Sequence, residues 1–285
     1  MSKRKKISFQ GEPGANSHIA CNEAYSGYEP LPCPTFEDAF AAVRTGRAAL
    51  AMIPIDNSVA GRVADIHHLM PTAQLHIIAE HFLPIRNQLM APHGATLKGL
   101  ETVESHIMAL GQCRRYIRKL GIKAVVAADT AGAAKDVAEH GDPTRAAIAS
   151  TLAAEIYGLD ILARNVEDES HSTTRFIVLS RDGKQAKRGD GTVITTFVFQ
   201  VRNIPAALYK AMGGFATNRV NMTKLESYMI EGNFFATQFY ADVEGHPDDP
   251  NLKLALEELA FFSKELTVLG VYPAHPLRAK LGKVK

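Results

Sequence analysis

The sequence predicts an α/β protein of two parts, alternating strands and helices followed by a smaller α+β arrangement in the order βαββαβ. Three observations carry this expectation. As far as Leu179, short apolar and β-branched runs such as Ala48 to Ile55 and Ile122 to Ala127 alternate with stretches whose apolar residues recur at helical spacing. Ser180 to Gly191 has no apolar periodicity and reads as a linker. Beyond it the pattern becomes strand, helix, two strands, helix, strand.

Taken in order, Ile7-Ser8-Phe9 is a short strand running into Gly11-Glu12-Pro13-Gly14-Ala15-Asn16-Ser17. Glycines permit a tight turn there, Asn16 or Ser17 is expected to cap the helix that follows, and the helix start would favour an anion. It is not a nucleotide loop, because no Gly-Lys-Ser/Thr follows and the Gly-x-Gly-x-x-Gly spacing is absent. Thr35 begins a helix carrying Phe36, Ala39, Phe40 and Val43 on one face, closed by Gly46. Ala48 to Ile55 reads as a buried strand leading into Asp56-Asn57-Ser58, then a helix with Val63, Ile66 and Leu69. Leu75 to Phe82 and Thr102 to His106 are strands, and Ile107, Leu110, Cys113, Ile117 and Leu120 mark a helix just beyond. After Ile122 to Ala127, Asp129 and Thr130 cap an Ala-rich helix reaching about His140. A strand at Ala146 to Ser150, a helix to Tyr157 and a strand at Ile161 to Val166 complete the first part. Such alternation predicts a largely parallel sheet covered on both faces, with ligands at the strand-end loops.

In the second part, Val193 to Val201 is a strand and Pro205 opens a helix with Leu208, Ala211, Met212 and Phe215. Val220 to Ile230 and Phe234 to Val243 are strands joined at Glu231-Gly232-Asn233, a hairpin signal. A helix with Leu252, Ala255, Leu256, Leu259 and Phe262 and a strand at Leu266 to Tyr272 finish the ferredoxin-like order.

At 285 residues with 46% hydrophobic content, the chain can bury cores for two domains. A net charge of +2 gives no electrostatic case for nucleic acid, and Lys3 to Lys6 reads as a solvated tail. No apolar core follows those charges, so no signal peptide is expected, and the apolar runs are too short for a membrane span. Cys21, Cys33 and Cys113 lack metal-type spacing, which suits buried thiols in a reducing cytoplasm.

Chemistry concentrates in Ser170-His171-Ser172-Thr173-Thr174-Arg175-Phe176, read as a polar turn entering the strand Ile177 to Leu179. Arg can grip a carboxylate with two hydrogen bonds, and hydroxyls can donate to developing charge. His106 and His171 could each offer a proton near neutrality, though a structural role is the plainer reading of both.

Several motifs occur together in one order. They are Gly11-x-x-Gly14-x-x-Ser17, Pro54-Ile55-Asp56-Asn57-Ser58-x-x-Gly61, Ser105-His106 with Gln112-Cys113, Asp129-Thr130-Ala131, and Thr174-Arg175-Phe176. On these residues the chain resembles the bacterial prephenate dehydratases, a catalytic domain followed by an ACT regulatory domain. Asn203 to Tyr209 and Glu226-Ser227 are similar to the two ACT motifs. The match is not uniform. Asp56 stands where the family usually has Glu, Ile107-Met108 where Pro-Gln is common, and Ser172 where Asn is frequent. Ala206 replaces a Gly, and Tyr228-Met229 an Arg-Pro.

The resemblance implies a periplasmic-binding-protein-like catalytic domain over residues 5–181, with lobes of roughly 5–80 plus 165–181 and of 81–164. A linker at 182–191 and an ACT domain at 192–274 follow. The implied reaction is loss of CO₂ and water from prephenate to give phenylpyruvate, with L-phenylalanine as feedback inhibitor and no cofactor or metal. Thr174 and Arg175 are the implied catalytic residues, and Asn57, Ser58, Ser105, Gln112, Thr130 and Phe176 would line the site. Asn203, Ala207, Leu208, Asn221, Glu226 and Ser227 would bind the effector, and paired ACT domains imply a homodimer or homotetramer. Arogenate dehydratase and a non-catalytic small-anion-binding module are the alternatives.

Overall fold

The structure is a computed structural model that describes residues 4–202, 204–229 and 236–281. The chain packs as two units, Met1–Val63 with His81–Phe176, and Ala64–Glu80 with Ile177–Lys285.

The first lobe of the first unit holds β1 (Lys6–Gln10), α1 (Asn16–Ala24), β2 (Glu29–Cys33), α2 (Phe36–Arg44), β3 (Leu50–Asn57) and β4 (Gly61–Arg62). β1 pairs in parallel with both β2 and β3, and Phe9, Phe40, Met52, Ile53 and Ile55 are buried around it. Each such side chain contributes about 1.5–3 kcal/mol through burial. Thr35 caps α2 as expected, its Oγ1 accepting the Asp38 N–H at 3.1 Å. α1 differs: Ala15 is its N-cap and no side chain caps it, so neither Asn16 nor Ser17 has the expected role. β2 escaped the sequence reading because Pro30 and Pro32 interrupt it, which only an edge strand tolerates.

α3 (Ala64–Leu69) follows in the second unit, and β5 (His76–Pro84) runs from that unit into the first. The second lobe contains β6 (Gln88–Ala91), β7 (Thr102–His106), α4 (Ile107–Gln112), α5 (Arg114–Leu120), β8 (Lys123–Ala127), α6 (Thr130–His140), β9 (Arg145–Ala149), α7 (Thr151–Tyr157) and β10 (Asp160–Ala163). Its sheet has the order β10-β6-β9-β7-β8. β7 is parallel to β8 and β9, whereas β6 pairs antiparallel with β9 and β10. β6, which brings the chain into this lobe, thus runs against the other four strands. The helix expected from Ile107 to Leu120 is two, interrupted at Cys113, whose thiol is buried with Leu110, Ile117 and Ile148. Strand β11 (Thr173–Ser180) starts earlier than expected, so Thr174, Arg175 and Phe176 lie within it and not in a turn before it.

In the second unit, β12 (Val193–Val201), α8 (Ala207–Thr217), β13 (Met222–Met229), β14 (Ala236–Glu244), α9 (Pro250–Phe262) and β15 (Ser263–Pro273) realise the predicted order, and α10 (Arg278–Leu281) follows. The antiparallel sheet runs β13-β14-β12-β15. Both helices cover one face over Phe197, Phe199, Phe215, Leu252 and Leu259. The expected hairpin turn at Glu231-Gly232-Asn233 lies outside the described residues. Gly270 must be glycine, because a Cβ there would stand 2.2 Å from the Ile77 carbonyl oxygen. On the opposite face Arg278 donates to both Glu80 carboxylate oxygens at 2.6 and 2.8 Å. No helix among the described residues is long and apolar enough to cross a membrane.

Candidate active site

β3 and β11 are neighbours in the sheet, and their adjoining ends carry the polar residues. Asn57, the last residue of β3, is held through both polar atoms of its side-chain amide. Its Oδ1 accepts the Val59 and Ala60 N–H groups at 2.9 and 2.8 Å, which fixes the amide's orientation. Its Nδ2 therefore points to β11, donating to Thr174 Oγ1 at 3.0 Å and to Ser172 Oγ at 3.2 Å. Because Thr174 receives a hydrogen bond from Asn57, its own hydroxyl hydrogen is left to be directed to another acceptor.

Strand alternation sends the next residues to the other face. Arg175 is buried, and its guanidinium lies 3.8 Å from Asp56 Oδ2. Thus Asn57 with Thr174 and Asp56 with Arg175 form two adjacent pairs across β3 and β11, on opposite sides. Phe176 is 1% exposed and belongs to the core.

Other residues singled out by sequence are occupied differently. Ser58 ties its loop to β11: its N–H donates to Thr173 O at 2.9 Å, and its hydroxyl donates to His171 O at 3.1 Å while accepting the Thr173 N–H at 3.0 Å. Ser105 is fully buried and donates to Ile148 O at 2.6 Å, within its own lobe. Thr130 opens α6, where Asp129 is the cap, accepting the Gly132 N–H at 2.7 Å. Gln112 lines a cavity of about 1000 Å³ that Ser172 also touches. His106 caps α4 through Nδ1, which accepts the Met108 N–H at 3.3 Å, and His171 is exposed, 3.8 Å from Glu169.

The glycine loop 11–17 is a packing device. Gly14, at φ +94°, lies so near α7 that a Cβ would stand 2.7 Å from Ala153 Cα. Its carbonyl accepts the Ser150 hydroxyl at 2.6 Å, and the Tyr157 hydroxyl donates to Pro13 O at 2.8 Å. The Gly14 N–H, a group that could have met an anion, donates to His18 Nδ1 at 3.0 Å. Burial lowers the His18 pKa, and burial chiefly, with Glu12 second, raises Tyr157 to about 12.

Sequence reading overlooked the acidic stretch Glu167-Asp168-Glu169. Asp168 accepts the Arg115 N–H at 3.1 and 3.2 Å, fastening the approach to β11 onto the start of α5. Glu167 accepts the Asn87 N–H at 2.9 Å. Three acidic residues before the polar cluster were the available signal, but their partners are distant in sequence.

In the second unit, Asn203 lies outside the described residues. Ala207 and Leu208 pack against the core from the start of α8, and Asn221 donates to Glu244 Oε2 at 2.9 Å. Glu226 and Ser227 are neighbours on β13 and leave opposite faces, Glu226 beside Lys224 at 3.4 Å. Ala206 sits at φ +61°, where a glycine would be unstrained. Tyr228 is buried, its ring 5.9 Å from His67 and 5.7 Å from His68, with its hydroxyl accepting from Gln238 Nε2.

A family model described as prephenate dehydratase matches residues 7–184. The chain is 51% identical, over 98% of its length and 100% of the relative's, to a bifunctional N-acyl-homoserine lactone acylase/prephenate dehydratase of Komagataeibacter europaeus. The chain belongs to the prephenate dehydratase family. Members of this family are lyase-type dehydratases. A chloroplastic arogenate dehydratase/prephenate dehydratase of Arabidopsis thaliana is 37% identical over 96% of this chain and 73% of its own length. The crystal structure of prephenate dehydratase from Arthrobacter aurescens in complex with L-Phe is similar at TM-score 0.87 and 31% identity, covering 94% of this chain and 90% of that one.

Proposed function

We propose that this chain catalyses the decarboxylating dehydration of prephenate to phenylpyruvate in L-phenylalanine biosynthesis, and that L-phenylalanine inhibits it at a C-terminal ACT domain. The reading divides the chain into a catalytic domain at 5–181, a linker at 182–191 and the ACT domain at 192–274. The observation that carries it is the Asn57 amide, oriented by two backbone N–H groups and donating to Thr174 Oγ1.

In the reaction the C–C bond to the ring carboxylate breaks to release CO₂, its electron pair enters the ring, and the C–O bond to the ring hydroxyl breaks, the departing oxygen taking a proton from solvent to leave as water. Thr174 presents its hydroxyl hydrogen to that oxygen as negative charge grows on it. A threonine is too weak an acid to give up the proton outright, so its contribution is electrostatic. Arg175, buried on the strand's other face with Asp56 beside it, acts on the substrate carboxylates through its positive charge and not by direct hydrogen bonds. Asn57 and Ser58 position this strand, and Gln112 and Thr130 line the approach. No redox step occurs, and no cofactor or metal enters the scheme.

Phenylalanine inhibition is supported by the family member crystallised with L-Phe. It requires that the effector bind the active and inactive states unequally. Candidate effector residues are Asn203, Ala207, Leu208, Asn221, Glu226 and Ser227, and paired ACT domains would make the protein a homodimer or homotetramer. The deciding experiment follows phenylpyruvate formation from prephenate, and phenylalanine formation from arogenate in parallel, while phenylalanine is titrated. Prephenate turnover that falls with added phenylalanine is expected. Turnover of arogenate alone would move the chain to arogenate dehydratase, and phenylalanine-independent turnover would remove the regulatory part.

A second reading, acylase activity on N-acyl-homoserine lactones, is favoured by the end-to-end identity to the Komagataeibacter protein. Release of the free carboxylic acid and homoserine lactone from such a substrate by purified protein would establish it.

A further inference from the structure

The cavity that Ser172 touches has a wall with no part in the prephenate scheme. Ile107 and Met108 are 55% and 45% exposed, Val126 is 62% exposed and Val59 41%, and all four line it. They come from the start of α4, from β8 and from the loop after β3, so different elements aim apolar groups into one space. α4 turns Ala109 and Leu110 toward its lobe's core and leaves Ile107 and Met108 outside. β8 is an edge strand of its sheet, and its exposed Val126 faces the same cavity. A volume of about 1000 Å³ is generous for one cyclohexadiene ring, since small-molecule pockets span roughly 300–1,000 Å³.

The same lining also carries charge, from Arg114, Arg115 and Arg118 and from Asp168 and Glu169. Arg115 is committed to Asp168 and Glu169, at 3.5 and 3.8 Å. Arg114 and Arg118 are exposed and have no ion pair among the described residues. Apolar side chains beside guanidinium groups in one lining complement an amphiphile: a hydrocarbon chain on the former and a carboxylate or amide oxygen on the latter.

We propose that this cavity takes the medium-length acyl chain of a small amphiphile, with its carboxylate or amide head at Arg114 and Arg118. An N-acyl-homoserine lactone is the occupant that the acylase reading supplies, and to that extent the proposal rests on it. A free medium-chain carboxylate has the same chain and tests the cavity alone.

The test is calorimetric titration of the full-length protein with butanoate, hexanoate, octanoate and decanoate, and with N-octanoyl-homoserine lactone. Affinity is expected to rise about two- to fourfold per added methylene, as burial of a hydrocarbon chain implies. Met108→Lys and, separately, Val126→Asp, both at exposed positions, should weaken decanoate and the lactone about tenfold or more. Prephenate turnover should remain at the unmodified level in both. Arg118→Gln should weaken the carboxylates more than the lactone. An affinity independent of chain length, or unaffected by both apolar substitutions, overturns the proposal. So does a concentration-dependent dimer that Val126→Asp disrupts without any acyl binding, since a second copy would then cover the wall. Chain-length-dependent lactone binding with no hydrolysis sustains the cavity and removes the acylase reading. Hydrolysis insensitive to both substitutions does the reverse.

Discussion

Two loops in the first unit leave the ends of parallel strands, the glycine loop after β1 and the Asn57 loop after β3, and in sequence they look alike. Each offers polar groups and free-looking backbone amides ahead of a helix. In the structure their hydrogen-bonding capacity goes to different ends. At the glycine loop the Gly14 N–H, the Gly14 carbonyl and the Pro13 carbonyl all meet side chains of the same protein. At the Asn57 loop the amide is saturated too, but its last bond ends on Thr174 Oγ1, whose hydroxyl hydrogen is still to be placed. A strand-end loop becomes a candidate site when a donor is left over after the internal accounts are closed, and polar composition alone does not reveal that.

Three substitutions bear on this comparison, the most disruptive first. Gly14→Ala should destabilise the fold by roughly 2–5 kcal/mol, from left-handed backbone strain plus overpacking against α7. Urea denaturation reads this directly, and a loss under 1 kcal/mol would mean that the loop is not a packing device. Asn57→Asp keeps an oxygen to accept the Val59 and Ala60 N–H groups but cannot donate to Thr174. Turnover is expected to fall about 10²-fold, the cost of a misplaced group, with little change in unfolding midpoint. An equal loss of stability and activity would assign Asn57 to the scaffold.

The smallest effect concerns His18, whose ring stacks on Phe9 at 5.3 Å and accepts the Gly14 N–H. Burial lowers its pKa below the ordinary 6.5, so the folded state binds this proton less readily than the unfolded state. Stability is therefore full above about pH 6.5 and declines as pH falls from there through the lowered folded value. His18→Asn should flatten that part of a stability–pH curve measured by denaturant midpoints, and an unchanged slope would contradict the assignment.

Much of the fold was legible because local rules were obeyed. The Thr35 cap, the Asp129 cap and the alternation along β12 each rest on neighbouring residues. What was missed rests on distant ones. β2 is a strand despite Pro30 and Pro32 because β1 provides a partner and the other edge is open. Asn16 and Ser17 fail to cap α1 because the helix starts earlier than expected: Ala15 is the N-cap, and both residues already lie within the first turn. Within the candidate site, Thr174 and Asn57 were named from sequence, but their union across 117 positions was not. Nor could a linear motif disclose that Thr174 and Arg175 leave opposite faces, because their strand was expected to begin after them. The residues that depart from the family are informative in the same way. Tyr228 meets two histidine rings, one tilted and one edge-on, and Ile107 and Met108 line the cavity.

The central claim is that the Thr174 hydroxyl, held by Asn57, stabilises the departing ring oxygen. The most direct measurement is prephenate turnover by Thr174→Ala and Thr174→Ser, each checked for an unchanged unfolding midpoint. Turnover should drop about 10²–10³-fold in the alanine variant, as for loss of one oxyanion-type donor, and recover largely in the serine variant. Near-normal turnover by a folded Thr174→Ala would contradict the claim.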